Sequence, residues 1–201
     1  MTNVKICGLS RPEDIEAVNR YRPDFIGFVF APSRRQVNKE TARSLRTSLD
    51  ASIQVAGVFV NQPPEEIVEL LQEGIIDSVQ LHGDEDDAAI AHLKSLYDCM
   101  VIKSVGIGNA LPKLPAAADY LLFDTMSSER GGTGRVFDWN VLEGYAGTPY
   151  FLAGGLDAEN VGEAVARLHP FCVDVSSGIE NGGVKDREKI ERFIKQARGQ
   201  E

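Results

Sequence analysis

At 201 residues, with ordinary apolar and charged fractions, the chain is long enough to build one sizeable core. Its formal net charge of -9 argues against a nucleic-acid partner, which would demand a basic face. It also means that an anionic ligand must be attracted by local groups against the field of the whole molecule.

No apolar run approaches the roughly 20 residues of a membrane span, so no membrane partner is expected. Met1-Thr2-Asn3-Val4-Lys5 lacks the basic and then apolar sequence of a secretory leader, and the expectation is a cytoplasmic protein. Three cysteines, Cys7, Cys99 and Cys172, are an odd number without CxxC spacing, which favours neither a disulfide framework nor a structural zinc site.

Strand-like and helix-like patterns alternate from the start. Residues 3–7 read as a strand. Ser10-Arg11-Pro12-Glu13 reads as a capping box with Ser10 as the N-cap, opening a helix to about Tyr21. A second strand over 24–30 precedes a helix over 38–49. The β-branched run 53–60 is the third strand, followed by a helix over 63–73 with Pro at its start and Gly74 at its end. Strands at 78–81 and 99–104 flank a helix over 86–97. Residues 106–118 hold two prolines and two glycines and have room only for a short helix. Residues 119–123 form the sixth strand, and its glycine-rich loop, 127–136, leads to a helix starting near Asp138, with Trp139 packing at its start. Residues 149–153 form the seventh strand, with Asp157 capping a helix to about Leu168. The eighth strand is 172–175, and an amphipathic helix over 187–198 closes the chain.

These are eight strand-like runs, apolar along their length as parallel strands covered on both sides should be. There is no composition break or linker. The pattern predicts a single (β/α)8 TIM barrel over residues 1–201. The competing doubly wound sheet would want a glycine fingerprint after the first strand, and Cys7-Gly8-Leu9-Ser10 does not supply it.

The barrel gives meaning to two stretches near the C-terminus. Ala153-Gly154-Gly155-Leu156 and Asp174-Val175-Ser176-Ser177-Gly178 are the loops after strands seven and eight, where such barrels often bind phosphate. Small residues there leave backbone N–H groups uncovered for an anion.

Chemistry in a barrel sits at the C-terminal ends of strands. Cys7 ends the first strand and Asp124 the sixth, Arg35 follows the second, and Gln80 and His82 bracket the end of the fourth. Each also has a structural reading. Cys7 could be a small buried apolar residue. Lys5 shares its face of the strand, and an ammonium there would favour a thiolate. Asp124 could cap its loop through Thr125, or act as a general acid if desolvated. Arg34 and Arg35 could be solvated, or could grip a carboxylate. His82 and His92 do not make a metal site, and His82 reads as a hydrogen-bonding residue. Cys99 and Cys172 begin their strands and read as packing residues.

In order along the chain, Val4-Lys5-Ile6-Cys7-Gly8, Gly27-Phe28-Val29-Phe30 with Ser33-Arg34-Arg35, Gly57-Val58-Phe59-Val60-Asn61, Val79-Gln80-Leu81-His82-Gly83, Leu122-Phe123-Asp124-Thr125 with Gly131-Gly132-Thr133-Gly134, Phe137-Asp138-Trp139, Ala153-Gly154-Gly155-Leu156 and Val173-Asp174-Val175-Ser176-Ser177-Gly178-Ile179-Glu180 resemble the phosphoribosylanthranilate isomerase family, essentially end to end. The resemblance implies an Amadori rearrangement in tryptophan biosynthesis, needing neither cofactor nor metal. N-(5-phosphoribosyl)anthranilate would become 1-(2-carboxyphenylamino)-1-deoxyribulose 5-phosphate.

By that resemblance Asp124 matches the family's acid and Cys7 its base. Arg35, with Arg34 as the alternative, matches the arginine contacting the anthranilate. Gly154, Gly155, Ser177 and Gly178 would hold the phosphate, with Asp174, Ser176, Gln80 and His82 also at the substrate. The partner is a small molecule carrying phosphate and carboxylate, and the chain is expected as monomer or homodimer. Three other readings are a dual-substrate histidine and tryptophan pathway isomerase, which would place an aspartate at Cys7, a metal-dependent epimerase, for which no ligand cluster can be assembled, and a non-catalytic phosphosugar-binding barrel, which would not need Cys7 and Asp124 together.

Overall fold

Eight short strands follow one another along the chain, and each pairs in parallel with the next. They are β1 (Asn3–Cys7), β2 (Phe25–Val29), β3 (Gln54–Phe59), β4 (Ser78–Leu81), β5 (Met100–Ile107), β6 (Tyr120–Thr125), β7 (Tyr150–Leu152) and β8 (Cys172–Val175). β8 returns to pair with β1 and closes the barrel, bringing Lys5 beside Asp174. The structure is a computed structural model that describes residues 2–126 and 137–200. The glycine-rich stretch 131–134 lies outside the described residues.

The intervening helices are α1 (Pro12–Tyr21), α2 (Lys39–Thr47), α3 (Pro64–Gln72), α4 (Asp87–Leu96), α5 (Val161–Leu168) and α6 (Arg187–Ala197). Their apolar faces cover the strands, with Ile15, Val18, Leu45, Ile67, Ile90, Val161, Ile190 and Phe193 in one continuous core. Among the described residues no helix is long and apolar enough to cross a membrane.

Four local expectations are corrected. The N-cap of α1 is Arg11, not Ser10. The carboxylate of Asp14, rather than Glu13, accepts from the N–H groups of both Ser10 and Arg11. β5 runs on to Ile107, since its edge continues to pair with β6 as far as Thr125, and no helix forms before β6. Around Asp138 the chain makes only a 3-10 turn, Trp139–Leu142; Asp138 caps it through the Asn140 N–H, and Trp139 is buried as expected. Asp157 organises the turn before α5 by accepting from Glu159 and Asn160, while the helix itself starts at Val161.

Side chains alternate across each strand, and the barrel interior is graded along its axis. At the N-terminal end Phe25, Ile102, Leu122, Phe151 and Cys172 fill it, with Phe25 and Phe151 edge to face at 5.5 Å. Truncating a buried ring such as Phe151 would cost about 3–5 kcal/mol. One inward step further along the strands the residues are Lys5, Gln80 and Asp174, all buried, and polar groups replace the plug.

At the N-terminal end a device repeats. Asp24, Asp77 and Asp119 each precede an even-numbered strand and accept from the N–H of the second residue of the strand before it, at Val4, Val55 and Val101 (2.8–2.9 Å). Each is also paired with a cation, Arg198, Arg46 and Lys94 respectively. Two-strand units are thereby tied together at the end remote from the polar layer.

Candidate active site

A cavity of about 380 Å³ opens at the C-terminal ends of the strands. Its wall includes Cys7, Arg35, Gln80, His82, Asp124, Gly154, Gly155, Asp174, Ser176 and Ser177. Ten of the eleven residues singled out from sequence thus meet in one place. Gly178 is not on that wall. A Cβ there would lie 2.0 Å from the Leu156 carbonyl oxygen, so its glycine permits the β7 and β8 loops to touch. Gly154 and Gly155 both adopt positive φ, +85° and +71°, and the β8 loop continues as a 3-10 turn, Ser177–Ile179.

Beneath the cavity Lys5, fully buried, donates to Asp174 at 3.0 Å. Burial opposes the ammonium charge, but Asp174 and Cys7 together outweigh it and Lys5 stays protonated above the ordinary lysine range. Cys7 is buried above this pair. Desolvation pushes its thiol up; Lys5 and Lys185 pull it down, and Asp174 pushes it up again. Lys5 favours the thiolate, but Lys5 is itself paired with Asp174, and burial decides the net direction.

Asp124 is the penultimate residue of β6 and is the capping residue of its own loop. It accepts from the Thr125 N–H at 2.7 Å, and burial raises its carboxyl from 3.8 to about 6, with the Thr125 bond opposing and Asp174 adding to the rise. His82 faces it, Nε2 to Oδ2 at 3.7 Å. Desolvation lowers His82 to about 4, so its ring is neutral near pH 7 and the contact is not an ion pair. Its other nitrogen, Nδ1, lies 3.3 Å from the Gln80 amide. Cys172 is buried in the apolar plug and Cys99 stands half-buried just before β5. Among the described residues no three His, Cys, Asp or Glu side chains converge as metal ligands.

Arg35 lies on the cavity wall, whereas Arg34 is off it and largely exposed. Both pair with Glu180, which also receives Lys185 at 2.8 Å. Glu180 and Lys185 belong to a small hairpin after β8, formed by β9 (Glu180–Asn181) and β10 (Val184–Lys185). In the sequence Glu180 closes the motif 173–180 without an evident role, and Lys185 does not stand out. The available signal was a pair of opposite charges flanking the Gly182-Gly183 turn.

This arrangement, an acid and a thiol across a cavity with small-residue loops at one side and an arginine at another, suits proton transfer on a small anionic molecule. Residues 4–196 match the family model described as N-(5'phosphoribosyl)anthranilate (PRA) isomerase. The N-(5'-phosphoribosyl)anthranilate isomerase of Endomicrobium trichonymphae is 47% identical over 196 residues, 97% of this chain and 98% of the relative. The crystal structure of phosphoribosyl anthranilate isomerase from Thermotoga maritima superposes with a TM-score of 0.84 at 35% identity, covering 99% of this chain and 100% of that one. Another solved isomerase, in complex with reduced 1-(o-carboxyphenylamino)-1-deoxyribulose 5-phosphate, gives a TM-score of 0.81 at 33% identity over 99% of this chain and 100% of its own. By the extent of these matches the chain belongs to the N-(5'-phosphoribosyl)anthranilate isomerase family.

Proposed function

We propose that the chain is the ketol isomerase of tryptophan biosynthesis, converting N-(5-phosphoribosyl)anthranilate to 1-(2-carboxyphenylamino)-1-deoxyribulose 5-phosphate. The observation that carries the reading is the pairing of Cys7 and Asp124 on one cavity between the β7 and β8 loops and Arg35.

In the proposed mechanism, protonated Asp124 gives its proton to the ribose ring oxygen as the C1–O bond breaks. The anthranilate nitrogen supplies the electron pair, leaving a protonated Schiff base. The Cys7 thiolate then removes the proton from C2; that C–H pair forms the C1=C2 bond while the C1=N π pair returns to nitrogen, giving an enolamine. Loss of the O2 proton and return of a proton at C1 complete the aminoketose, with no net change of atoms. Only a partly desolvated carboxyl has an acid form to offer near neutrality, and burial of Asp124 supports that role. The thiol gains assistance when it is needed, because the iminium charge appears beside it only after the ring has opened.

Gly154, Gly155 and Ser177 would hold the phosphate, with Gly178 letting the two loops meet, and Arg35 the anthranilate carboxylate, with Ser176, Gln80, His82 and Asp174 also at the substrate. A monomer or homodimer is compatible with a cavity lined by one chain. The reading includes a cytoplasmic location, where a multiply charged substrate is retained because it does not cross lipid unaided.

Purified protein in the presence of a chelator is expected to consume freshly made N-(5-phosphoribosyl)anthranilate. No loss above the spontaneous rate would refute the function. Retained turnover in Cys7→Ala would refute the base assignment alone.

A further inference from the structure

The side chain of Glu180 is almost wholly buried, 4% exposed, yet it is not on the cavity wall. Each of its oxygens accepts two hydrogen bonds. Oε1 accepts from Arg35 Nε at 2.6 Å and Lys185 Nζ at 2.8 Å; Oε2 accepts from Arg34 Nη2 at 2.7 Å and Arg35 Nη2 at 3.0 Å. Glu180 therefore takes the Nε–Nη2 edge of Arg35 side-on. Among the described residues Arg35 Nη1 has no hydrogen-bond partner, and Arg35 is the member of this cluster that lines the cavity.

The rest of the cluster is anchored to the reacting end of the barrel. Lys185 Nζ also donates to the Ser176 carbonyl at 2.8 Å and to Ser176 Oγ at 3.1 Å, and Ser176 Oγ donates to the Cys7 carbonyl at 3.1 Å. Gly8, next to Cys7, has φ +79°, and a Cβ there would stand 2.5 Å from Arg35 Cδ. The absence of a side chain at Gly8 lets the arginine stem lie across the end of β1. Three cations against one carboxylate leave this corner positive in a chain of net charge -9. That is the local attraction an anionic ligand requires here.

We propose that Glu180 is a positioning residue for substrate selection: it fixes Arg35 side-on so that the remaining Nη1–Nη2 fork is presented, already oriented, to the carboxylate on the substrate's aromatic ring. This rests on the functional reading above and deepens it. The alternative role for Glu180 is that of an occupant which the substrate carboxylate displaces. Four donors and near-complete burial argue against it, because displacement would strand a desolvated carboxylate. Holding the guanidinium in place also removes the rotamer entropy that a free arginine would lose on binding.

The test compares two stable ligands, the reduced aminoalditol analogue of the product with its ring carboxylate and the same compound without it. Dissociation constants are measured by calorimetry for the parent, Arg35→Met, Glu180→Gln and Glu180→Asp. The parent is expected to prefer the carboxylated ligand by roughly 10- to 100-fold, the range of a charge-assisted pair. Arg35→Met should abolish the preference. Glu180→Gln should reduce it at least about fivefold, with the decarboxy ligand bound as tightly as before or more tightly because a negative charge has gone. Glu180→Asp, which keeps the charge on a shorter stem, should fall between. A merely structural role would weaken both ligands equally and overturn the proposal. Tighter binding of the carboxylated ligand alone in Glu180→Gln would also overturn it and make Glu180 the displaced occupant. If Arg35→Met keeps the preference, the Arg35 assignment itself fails. If only the Glu180 variants keep it, the positioning role fails and the assignment of Arg35 stands.

Discussion

Replacing Asp124 with asparagine separates the acid from everything else its carboxylate does. Asparagine keeps an oxygen for the Thr125 N–H, which Asp124 holds at 2.7 Å, but cannot deliver a proton. With the carboxyl raised to about 6, roughly one molecule in ten carries the acid form at pH 7. Burial raises the Cys7 thiol above its ordinary value, so the working pair, protonated Asp124 with ionised Cys7, is a minority state at pH 7. Its population rises tenfold per pH unit up to about 6, stays level until the thiol titrates, and falls beyond. In the variant the break at about 6 should vanish and activity should climb steadily with pH, while kcat drops by about 100- to 10,000-fold with KM little changed. The assay is kcat/KM against pH for both proteins. A substrate phosphate, which titrates near 6 as well, would leave the break in both. Near-normal turnover in Asp124→Asn refutes Asp124 as the acid, and an unaltered break assigns the break to the substrate phosphate.

The same substitution has a stability consequence of opposite sign. The folded carboxyl binds its proton more tightly than the unfolded chain does, with about 6 against 3.8. The folded state is therefore favoured as pH falls from about 6 to about 4, and loses that advantage as pH rises through the same window. About two units correspond to about 3 kcal/mol at full ionisation. Urea unfolding should find Asp124→Asn more stable than the parent by ~2–3 kcal/mol near neutrality and equal to it near pH 3.5. An activity loss without this gain would mean that the carboxylate is solvated in the folded protein.

Lys5→Met strands Asp174 in the barrel interior and should cost about 3–5 kcal/mol in urea unfolding; it should also move the alkylation pH profile of Cys7 further up, and an unchanged profile would remove Lys5 from the account of that thiol. The His82 ring, held at about 4 by desolvation, should show no titration in NMR spectra between about pH 5.5 and 8, and a midpoint near its ordinary 6.5 would contradict the burial argument. Gly178→Ala forces the β7 and β8 loops apart, since its Cβ would meet the Leu156 oxygen at 2.0 Å. A loss of about 1–3 kcal/mol in stability, with weaker binding of inorganic phosphate, is expected, and unchanged phosphate affinity would detach those loops from the anion.

What the sequence determined is local and periodic. Strand-length apolar runs separated by capped helices led to the barrel, because alternating parallel elements of that length have few other ways to bury both faces. Position at a strand's C-terminal end then selected Cys7 and Asp124, and small residues marked the two adjacent loops. The N-cap of α1 lies one residue, and that of α5 three residues, beyond the sequence expectation, because several neighbouring polar side chains can satisfy the same first-turn N–H groups; at α1 Asp14 reaches back.

Tertiary structure decided the electrostatics. Lys5 meets Asp174 across 169 positions of sequence, and Arg35 meets Glu180 across 145, because closing the barrel sets β8 and its hairpin against β1 and the β2 loop. Whether a lysine activates a thiol or neutralises an aspartate depends on which lies closer and how dry each is. Spacing along a strand carries neither quantity. The same holds for Arg35, whose position after the second strand is legible in sequence, but whose free edge is defined only by the carboxylate that occupies the other one.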